Sequence, residues 1–286
     1  MNNATSSGLE GMTVAETLLS HVDGEKGELL IRGYPIETFA TKFGFEEAAF
    51  TLLFGETSNS FSAFCSDLKE ARKITLQLFN SWKSILPISD AMTALQAGLS
   101  LLDFKKYHEK GISDSIAVIG AMPVLLASWN KKEKPPAILE RQSEVFLTGE
   151  KAKLLGAYWA TVIDHGMNAS TFTARVVAST GSDLPSSVVA AIGALKGPLH
   201  GRAPGPVLDM LDTLRLEKNI PNWIQTEIEN GRRIMGIGHR IYKVRDPRAA
   251  ALEAALTRYE TTTHSKSERL VFARKVEKEM ALEKYW

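Results

Sequence analysis

The segment "PIETFATKFGFEEAAFTLLFG" (residues 35–55) decides the fold class of this chain. Its apolar residues recur at intervals of three and four, as Phe45, Ala48 and Leu52 do, which is the period of one helix face. Strand signals are confined to "GELLIRGYP" (27–35), which favours a minor hairpin or an extended lead-in. Similar amphipathic runs lie at about 61–82, 88–104, 112–130, 136–148, 152–180, 185–195, 205–214, 221–231, 248–262 and 266–284. The pattern predicts an all-α fold.

Composition excludes several classes of protein. The 286 residues are 44% hydrophobic and 23% charged, which is enough to bury a sizeable core in one large or two modest domains. The 34 Lys and Arg residues balance 33 acidic ones, so charge alone recruits neither nucleic acid nor an anionic membrane. The single cysteine, Cys65, excludes an internal disulfide and lies among aromatic residues, where a core position is favoured over a nucleophile. With neither a signal peptide nor a long apolar run, we expect a cytoplasmic protein.

Three histidines lie where helices are interrupted. They are His165 in "DHGMN" (164–168), His200 in "GPLHGRAP" (197–204) and His239 in "GIGHR" (236–240). Their separations of 35 and 39 residues, with no close second ligand, argue against a metal site. The segment "GIGHRI" also lacks the third glycine of a dinucleotide fingerprint, and no nucleophile elbow or P-loop occurs. Polar groups at helix ends can converge on one cleft together with free backbone N–H donors.

A basic cluster follows His239. The stretch "HRIYKVRDPRAAALEAAL" (239–256) predicts a helix start with Asp246 as its N-cap and Pro247 at its first position. Cations at a helix N-terminus suit carboxylates or phosphates, although a solvated basic face needs no such explanation. Together with the three histidines, the cluster favours a site for an anionic small molecule. The cations of this cluster are Arg240, Lys243, Arg245 and Arg248.

Four segments carry a family resemblance. They are "GLEGMTVAETLLSHVDGEKGELLIRGYPIETFA" (8–40), "DHGMNASTFTARVVASTGSDL" (164–184), "AAIGALKGPLHG" (190–201) and "RRIMGIGHRIYKVRDPRA" (232–249). In sequence and order they resemble citrate synthases, including 2-methylcitrate synthases. The resemblance implies a large helical domain (1–203) and a smaller one (204–286) closing over a cleft, with no metal or bound cofactor. It also implies a homodimer packed through helices.

The implied reaction is the condensation of acetyl-CoA with oxaloacetate to citrate and CoA, a step of the tricarboxylic acid cycle. The acetyl methyl group is a weak carbon acid, so the developing enolate oxygen needs a hydrogen-bond donor. His200 matches the family's donor to that oxygen. His239 matches the histidine that polarises the oxaloacetate carbonyl and protonates the new alkoxide.

Binding residues follow from the same resemblance. His165, His239 and Arg248 match residues that hold oxaloacetate, and the planar fork of Arg248 suits a carboxylate better than a lysine would. For CoA, Lys243 matches a cation that binds a phosphate, while the backbone of "MGIG" (235–238), including Gly236 and Gly238, would line the adenine.

The chain also departs from the family. It stops at Trp286 before a P-N-V-[DE]-F-Y-like segment that carries the catalytic aspartate, so no base is carried over, and Arg202 replaces a small residue after "PLHG". The chain is then a fragment, a naturally short subunit completed by another polypeptide, or a diverged member that binds without condensing. A helical interaction protein is the alternative from another class, and acetyl-CoA cannot be told from propionyl-CoA. We expect the isolated chain to bind oxaloacetate weakly and salt-sensitively, without releasing CoA.

Overall fold

Helices form most of the protein, which confirms the all-α prediction. The computed structural model describes residues 13–55, 60–82, 90–131, 141–197, 200–201, 204–216, 220–232, 234, 236 and 241–282. Within these residues the helices are α1 (Ile36–Lys42), α2 (Phe45–Phe54), α3 (Phe61–Trp82), α4 (Ala91–Ser100), α5 (Lys105–His108), α6 (Asp114–Lys131), α7 (Gly149–Thr161), α8 (Ala169–Ala178), α9 (Leu184–Leu195), α10 (Pro204–Leu214), α11 (Ile220–Glu229), α12 (Pro247–Thr263) and α13 (Glu268–Leu282). None of the helices described is long and apolar enough to cross a bilayer.

A small antiparallel sheet precedes α1. Its strands are β1 (Ser20–Asp23), β2 (Glu28–Ile31) and β3 (Tyr34–Pro35), in the order β1-β2-β3. The predicted hairpin is therefore present, and β1 is an additional strand that the sequence did not signal. Arg32 and Gly33 form the turn between β2 and β3, with φ of +50° and +85°. Two successive residues at positive φ match the twist of a two-residue hairpin.

Some predicted runs differ from the helices observed. The run at 152–180 is divided into α7 and α8, because residues 162–168 form a turn that ends in the N-cap of α8. The run predicted at 136–148 lies partly outside the described residues, and in the described part only a 3₁₀ turn (Gln142–Val145) forms. The short helix α5 was not predicted. In the first two cases a turn or a 3₁₀ turn takes the place of the helix that apolar spacing alone suggested.

The largest core lies between α2, α3, α4, α6 and α9. Its fully buried members include Leu68, Leu99 and Tyr107, and the Tyr107 hydroxyl lies 2.8 Å from that of Thr75. Cys65 packs against this core, and burial raises the pKa of its thiol, as suits the predicted core position.

Two smaller cores complete the packing. One joins β2, α1, α2 and α7 through residues such as Leu29, Ile36 and Ala160. The other joins α10, α11 and α13. Helix α12 packs against α1 and α7. The division into domains at residue 203 stays a prediction, and the contacts of α12 tie its segment to the N-terminal helices.

Close approach of α3 and α6 depends on Gly120. A Cβ atom there would lie 2.7 Å from the Cβ of Ala71 and 3.2 Å from the carbonyl oxygen of Leu68. Neither neighbour can rotate away, so the helices would have to separate. We expect Gly120→Ala to lower the free energy of unfolding by about 1–3 kcal/mol, measured by urea denaturation. Gly205→Ala in α10, where a Cβ meets nothing within 4 Å, is the control and should cost less than Gly120→Ala. Equal stabilities for the two variants would contradict this account.

Candidate active site

The turn between α7 and α8 fixes the position of His165. The carboxylate of Asp164 accepts a hydrogen bond from the hydroxyl of Ser20 and another, at 2.9 Å, from the N–H of Gly166. Gly166 has a φ of +70°, a conformation that glycine adopts without strain. Asn168 then caps α8 by accepting from a backbone N–H in its first turn. His165 therefore lies at the N-terminal end of α8, held on one side by β1.

The ring of His165 contacts Tyr242. Nε2 of His165 lies 2.9 Å from the Tyr242 hydroxyl, and the two rings pack edge to face at 5.5 Å and 78°. Tyr242 is buried, and this burial, aided by the charge of Asp246, raises the pKa of its hydroxyl to about 12. The phenol is therefore protonated at neutral pH.

His200 lies in a turn at the end of α9. Its N–H donates to the carbonyl of Gly197 at 3.1 Å, and the next N–H, that of Gly201, donates to the carbonyl of Leu195 at 3.0 Å. A Cβ on Gly201 would lie 2.5 Å from that Leu195 oxygen, so the turn has no room for a side chain there. Nε2 of His200 lies 2.7 Å from the hydroxyl of Ser170, in the first turn of α8. His165 and His200 are thus held at the same end of α8.

An ion pair anchors the helix that leads to His200. Lys196, which ends α9, lies 3.1 Å from Asp90 and donates to the hydroxyl of Thr93. Asp90 is the N-cap of α4, and hydrogen bonds from the hydroxyl and N–H of Thr93, then from Lys196, hold its pKa well below its usual range. The carboxylate therefore stays charged well into the acidic range, and the anchor weakens only as the pH falls through that lowered pKa.

The start of α12 agrees with the predicted cap. Asp246 is the N-cap, Pro247 is the first helical residue, and Asp246 accepts from the N–H of Arg248 at 2.9 Å. The same carboxylate lies 2.6 Å from Nη2 of Arg248 and 3.0 Å from its Nε. Arg245 lies 3.0 Å from Glu253 and 3.3 Å from Glu277. The basic cluster is therefore mixed with acidic partners, and the charges of both Asp246 and Arg248 act on the Tyr242 hydroxyl.

The turn between β1 and β2 packs against the segment that carries Lys243. The N–H of Lys243 donates to the carbonyl of Gly24 at 2.9 Å. A Cβ on Gly24 would lie 2.3 Å from the carbonyl oxygen of Ile241, and one on Gly27 would lie 2.5 Å from Val244. Gly24 thus allows the two backbones to approach closely, and Gly27 leaves room for the Val244 side chain, while the side chain of Lys243 is exposed.

Several predicted site residues lie outside the described residues: His239, Gly238, Arg202 and Arg240. Gly236 is described, with a φ of +87°. The structure brings His165 together with Tyr242 beside the Asp246–Arg248 pair, and His200 with Ser170. No group of three or more His, Cys, Asp or Glu side chains in the described part of the chain is placed to hold a metal ion. The site offers imidazoles, hydroxyls and a guanidinium, which are donors for carboxylates and for a developing oxyanion.

Comparison with known proteins decides the family. The family model for the C-terminal domain of citrate synthase matches residues 8–285. The chain belongs to the citrate synthase family. It is 34% identical to citrate synthase of Deinococcus radiodurans over 266 residues, which cover 86% of this chain and 71% of that protein. It is 31% identical to 2-methylcitrate synthase of Shewanella oneidensis, over 87% of this chain and 72% of that protein.

Comparison with solved structures also places the chain in the citrate synthase family. Citrate synthase from Thermotoga maritima superimposes with a TM-score of 0.80 at 31% identity, covering 97% of this chain and 78% of that one. The protein is a transferase of the citrate synthase type.

The sequence did not point to Ser170 or Tyr242, although both contact a predicted site histidine. Ser170 lies in the segment "DHGMNASTF" and Tyr242 in "GHRIYK", so each is close along the chain to one of the predicted site histidines. The histidines that they contact are distant in sequence, however: Ser170 contacts His200 and Tyr242 contacts His165. No local spacing predicts such pairs. A buried tyrosine inside a polar stretch is the one signal that could have marked Tyr242, because a buried hydroxyl needs a partner.

Proposed function

We propose that this protein condenses the methyl group of acetyl-CoA with the keto carbon of oxaloacetate. A proton leaves the methyl group, the new carbon–carbon bond forms, and water then cleaves the thioester to give citrate and CoA. The placement of His200 beside Ser170, at the same helix end as His165, is the observation that carries this proposal.

His200 is assigned to the thioester side of the reaction. A hydroxyl such as that of Ser170 can donate to Nε2, which puts the ring hydrogen of a neutral imidazole on Nδ1. That N–H is then the donor to the thioester oxygen as it gains enolate charge. The backbone hydrogen bonds from His200 to Gly197 and from Gly201 to Leu195, in a segment anchored through Lys196, keep the imidazole in place and reduce the reorganisation needed during the reaction.

Oxaloacetate is assigned to the other histidines and to Arg248. His165 and Arg248 would bind its carboxylates, and His239 would polarise its keto group and protonate the alkoxide. Arg248 and Asp246 are about one-quarter exposed or less, at 22% and 24%, so solvent only partly screens a charge bound there.

The CoA moiety is assigned to the segment between Gly236 and Lys243. The exposed ammonium of Lys243 would meet a phosphate, and the backbone at Gly236 and Gly238 would line the adenine. Propionyl-CoA is the alternative acyl donor, favoured by the 2-methylcitrate synthase relative. One methylene changes the energy of a pocket by only about 1–3 kcal/mol, so a direct competition between the two thioesters is the discriminating measurement.

Two assays test the proposal. Calorimetry with oxaloacetate measures binding, and a thiol-reactive dye measures CoA released from acetyl-CoA in its presence. We expect oxaloacetate to bind. In any form of the protein that turns over, whether the chain alone or with a complementing subunit, CoA should be released from acetyl-CoA only when oxaloacetate is present. Absence of binding by both oxaloacetate and CoA would overturn the assignment in favour of an interaction protein. The expectation that the 286-residue chain alone binds without turnover stays a prediction, which the second assay decides.

A second copy of the chain is the proposed partner. Helix α8 has no buried residue, although it carries Phe172, Val176 and Val177. In the adjoining helix, Leu184 and Leu195 are also exposed. Exposed apolar residues on neighbouring helices are typical of an interface, and two-fold pairing of like surfaces is the commonest way to cover them.

We expect Val176→Glu to shift the protein from dimer to monomer, because a charge would be buried in the α8 interface. Sedimentation equilibrium measures the change. Leu216→Glu is the matched control, since Leu216 is also an exposed apolar residue, at 86%, but lies beyond α10. A monomeric wild-type protein, or a dimer that tolerates Val176→Glu, would contradict this interface.

A further inference from the structure

The β1–β2 hairpin connects two parts of the site that are distant in sequence. Its first strand holds the His165 turn, because Ser20 donates to Asp164. Its turn holds the segment containing Tyr242, through the hydrogen bond from Lys243 to Gly24. The two held segments meet where the Tyr242 hydroxyl reaches Nε2 of His165 at 2.9 Å. The hairpin therefore aligns the pair from both sides.

The burial of Tyr242 makes the hydrogen bond between its hydroxyl and His165 energetically important. Tyr242 is 3% exposed, and a hydroxyl removed from water is costly unless a hydrogen bond satisfies it. The edge-to-face packing of the rings restricts the imidazole to one plane. A phenol can donate to an unprotonated ring nitrogen, and the hydrogen of the neutral ring then resides on the other nitrogen.

We propose that Tyr242 is a positioning residue for His165. Its hydroxyl donates to Nε2 and holds a neutral imidazole in the tautomer protonated on Nδ1, which presents an N–H donor to a carboxylate oxygen of oxaloacetate. The inference rests on the proposed function for the identity of the ligand, whereas the tautomer itself is a property of the protein alone. The phenol stays protonated across the physiological range, because burial raises its pKa to about 12.

Tyr242→Phe tests the proposal, since it keeps the packed ring and removes only the hydroxyl. We expect the dissociation constant for oxaloacetate to rise about tenfold, the effect of one lost hydrogen bond. In an enzyme that turns over, KM for oxaloacetate should rise by a similar factor, with a smaller change in kcat. Tyr158→Phe in α7 is the matched control, because Tyr158 is 43% exposed, and it should leave these values unchanged.

Nitrogen-15 NMR of histidine-labelled protein reports the tautomer of His165, which would not change if Tyr242 served only to stabilise the fold. In the wild type, the His165 signal, assigned with His165→Gln, should show an unprotonated Nε2 and a protonated Nδ1. Tyr242→Phe should shift the ring toward the other tautomer. Ser20→Ala, which loosens the His165 turn without touching Tyr242, should weaken oxaloacetate binding in the same direction.

The outcomes separate the two proposals. If wild-type protein does not bind oxaloacetate, the proposed function fails, and the NMR signature alone decides the role of Tyr242. If the wild type binds and Tyr242→Phe binds equally well with an unchanged His165 tautomer, Tyr242 is not a positioning residue. Thermal melting curves that match for Tyr242→Phe and wild type show that the variant is folded.

Discussion

Replacing His200 by alanine is expected to lower the rate of CoA release by about 100- to 1,000-fold, the usual effect of losing one donor to an oxyanion. The acetyl methyl group cannot ionise unaided, and the proposed donor acts only as charge develops on the thioester oxygen. The dissociation constant for oxaloacetate should change far less, because His200 is assigned to the thioester side. The rate is measured on the form that releases CoA, whether the chain alone or with a complementing subunit.

Two variants control this experiment. Ser170→Ala keeps the imidazole but removes the hydroxyl 2.7 Å from Nε2, so we expect a smaller loss of about tenfold. His108→Ala removes a half-exposed histidine that pairs with Asp114 at 2.6 Å, outside the proposed site, and should leave the rate unchanged. Equal losses of rate and of oxaloacetate binding in His200→Ala would contradict the assigned role.

The fold could be predicted because its signals are local. The three- and four-residue spacing from Phe45 to Leu52 placed α2, and the Asp246–Pro247 pair placed the start of α12. The strand β1 was missed because its stabilisation comes from pairing with β2, and the four residues Ser20–Asp23 alone carry little periodicity.

Only the part of the site that has local sequence signals could be predicted. A histidine in a glycine-rich turn can be recognised locally, and His165 and His200 both lie at the predicted helix interruptions. Their partners cannot, because the pairs of Ser170 with His200 and of Tyr242 with His165 depend on how helices pack. The ion pair between the side chains of Arg248 and Asp246 was also not predicted, because the sequence indicated Asp246 only as a helix N-cap.

Arg248 is the residue whose loss should weaken oxaloacetate binding most. Unpairing a buried carboxylate typically costs about 2–5 kcal/mol, so Arg248→Ala should raise the dissociation constant roughly 30- to 5,000-fold. The fold should survive, because the cap hydrogen bond to Asp246 comes from the backbone N–H of residue 248 and does not need the guanidinium. Calorimetry at low and high salt measures the effect.

Arg248→Lys separates the charge from the geometry. A lysine keeps the positive charge but cannot form a two-pronged contact, whereas the guanidinium already meets Asp246 through both Nε and Nη2. We therefore expect Arg248→Lys to bind oxaloacetate more weakly than wild type and more tightly than Arg248→Ala, with a dissociation constant that rises with salt. Arg245→Lys is the matched control, because Arg245 is half exposed and engaged with Glu253 and Glu277. If Arg248→Lys binds as tightly as wild type, the fork of Arg248 does not hold a carboxylate of the substrate. If Arg245→Lys weakens binding as much as Arg248→Lys does, the site uses the basic cluster only as a diffuse charge.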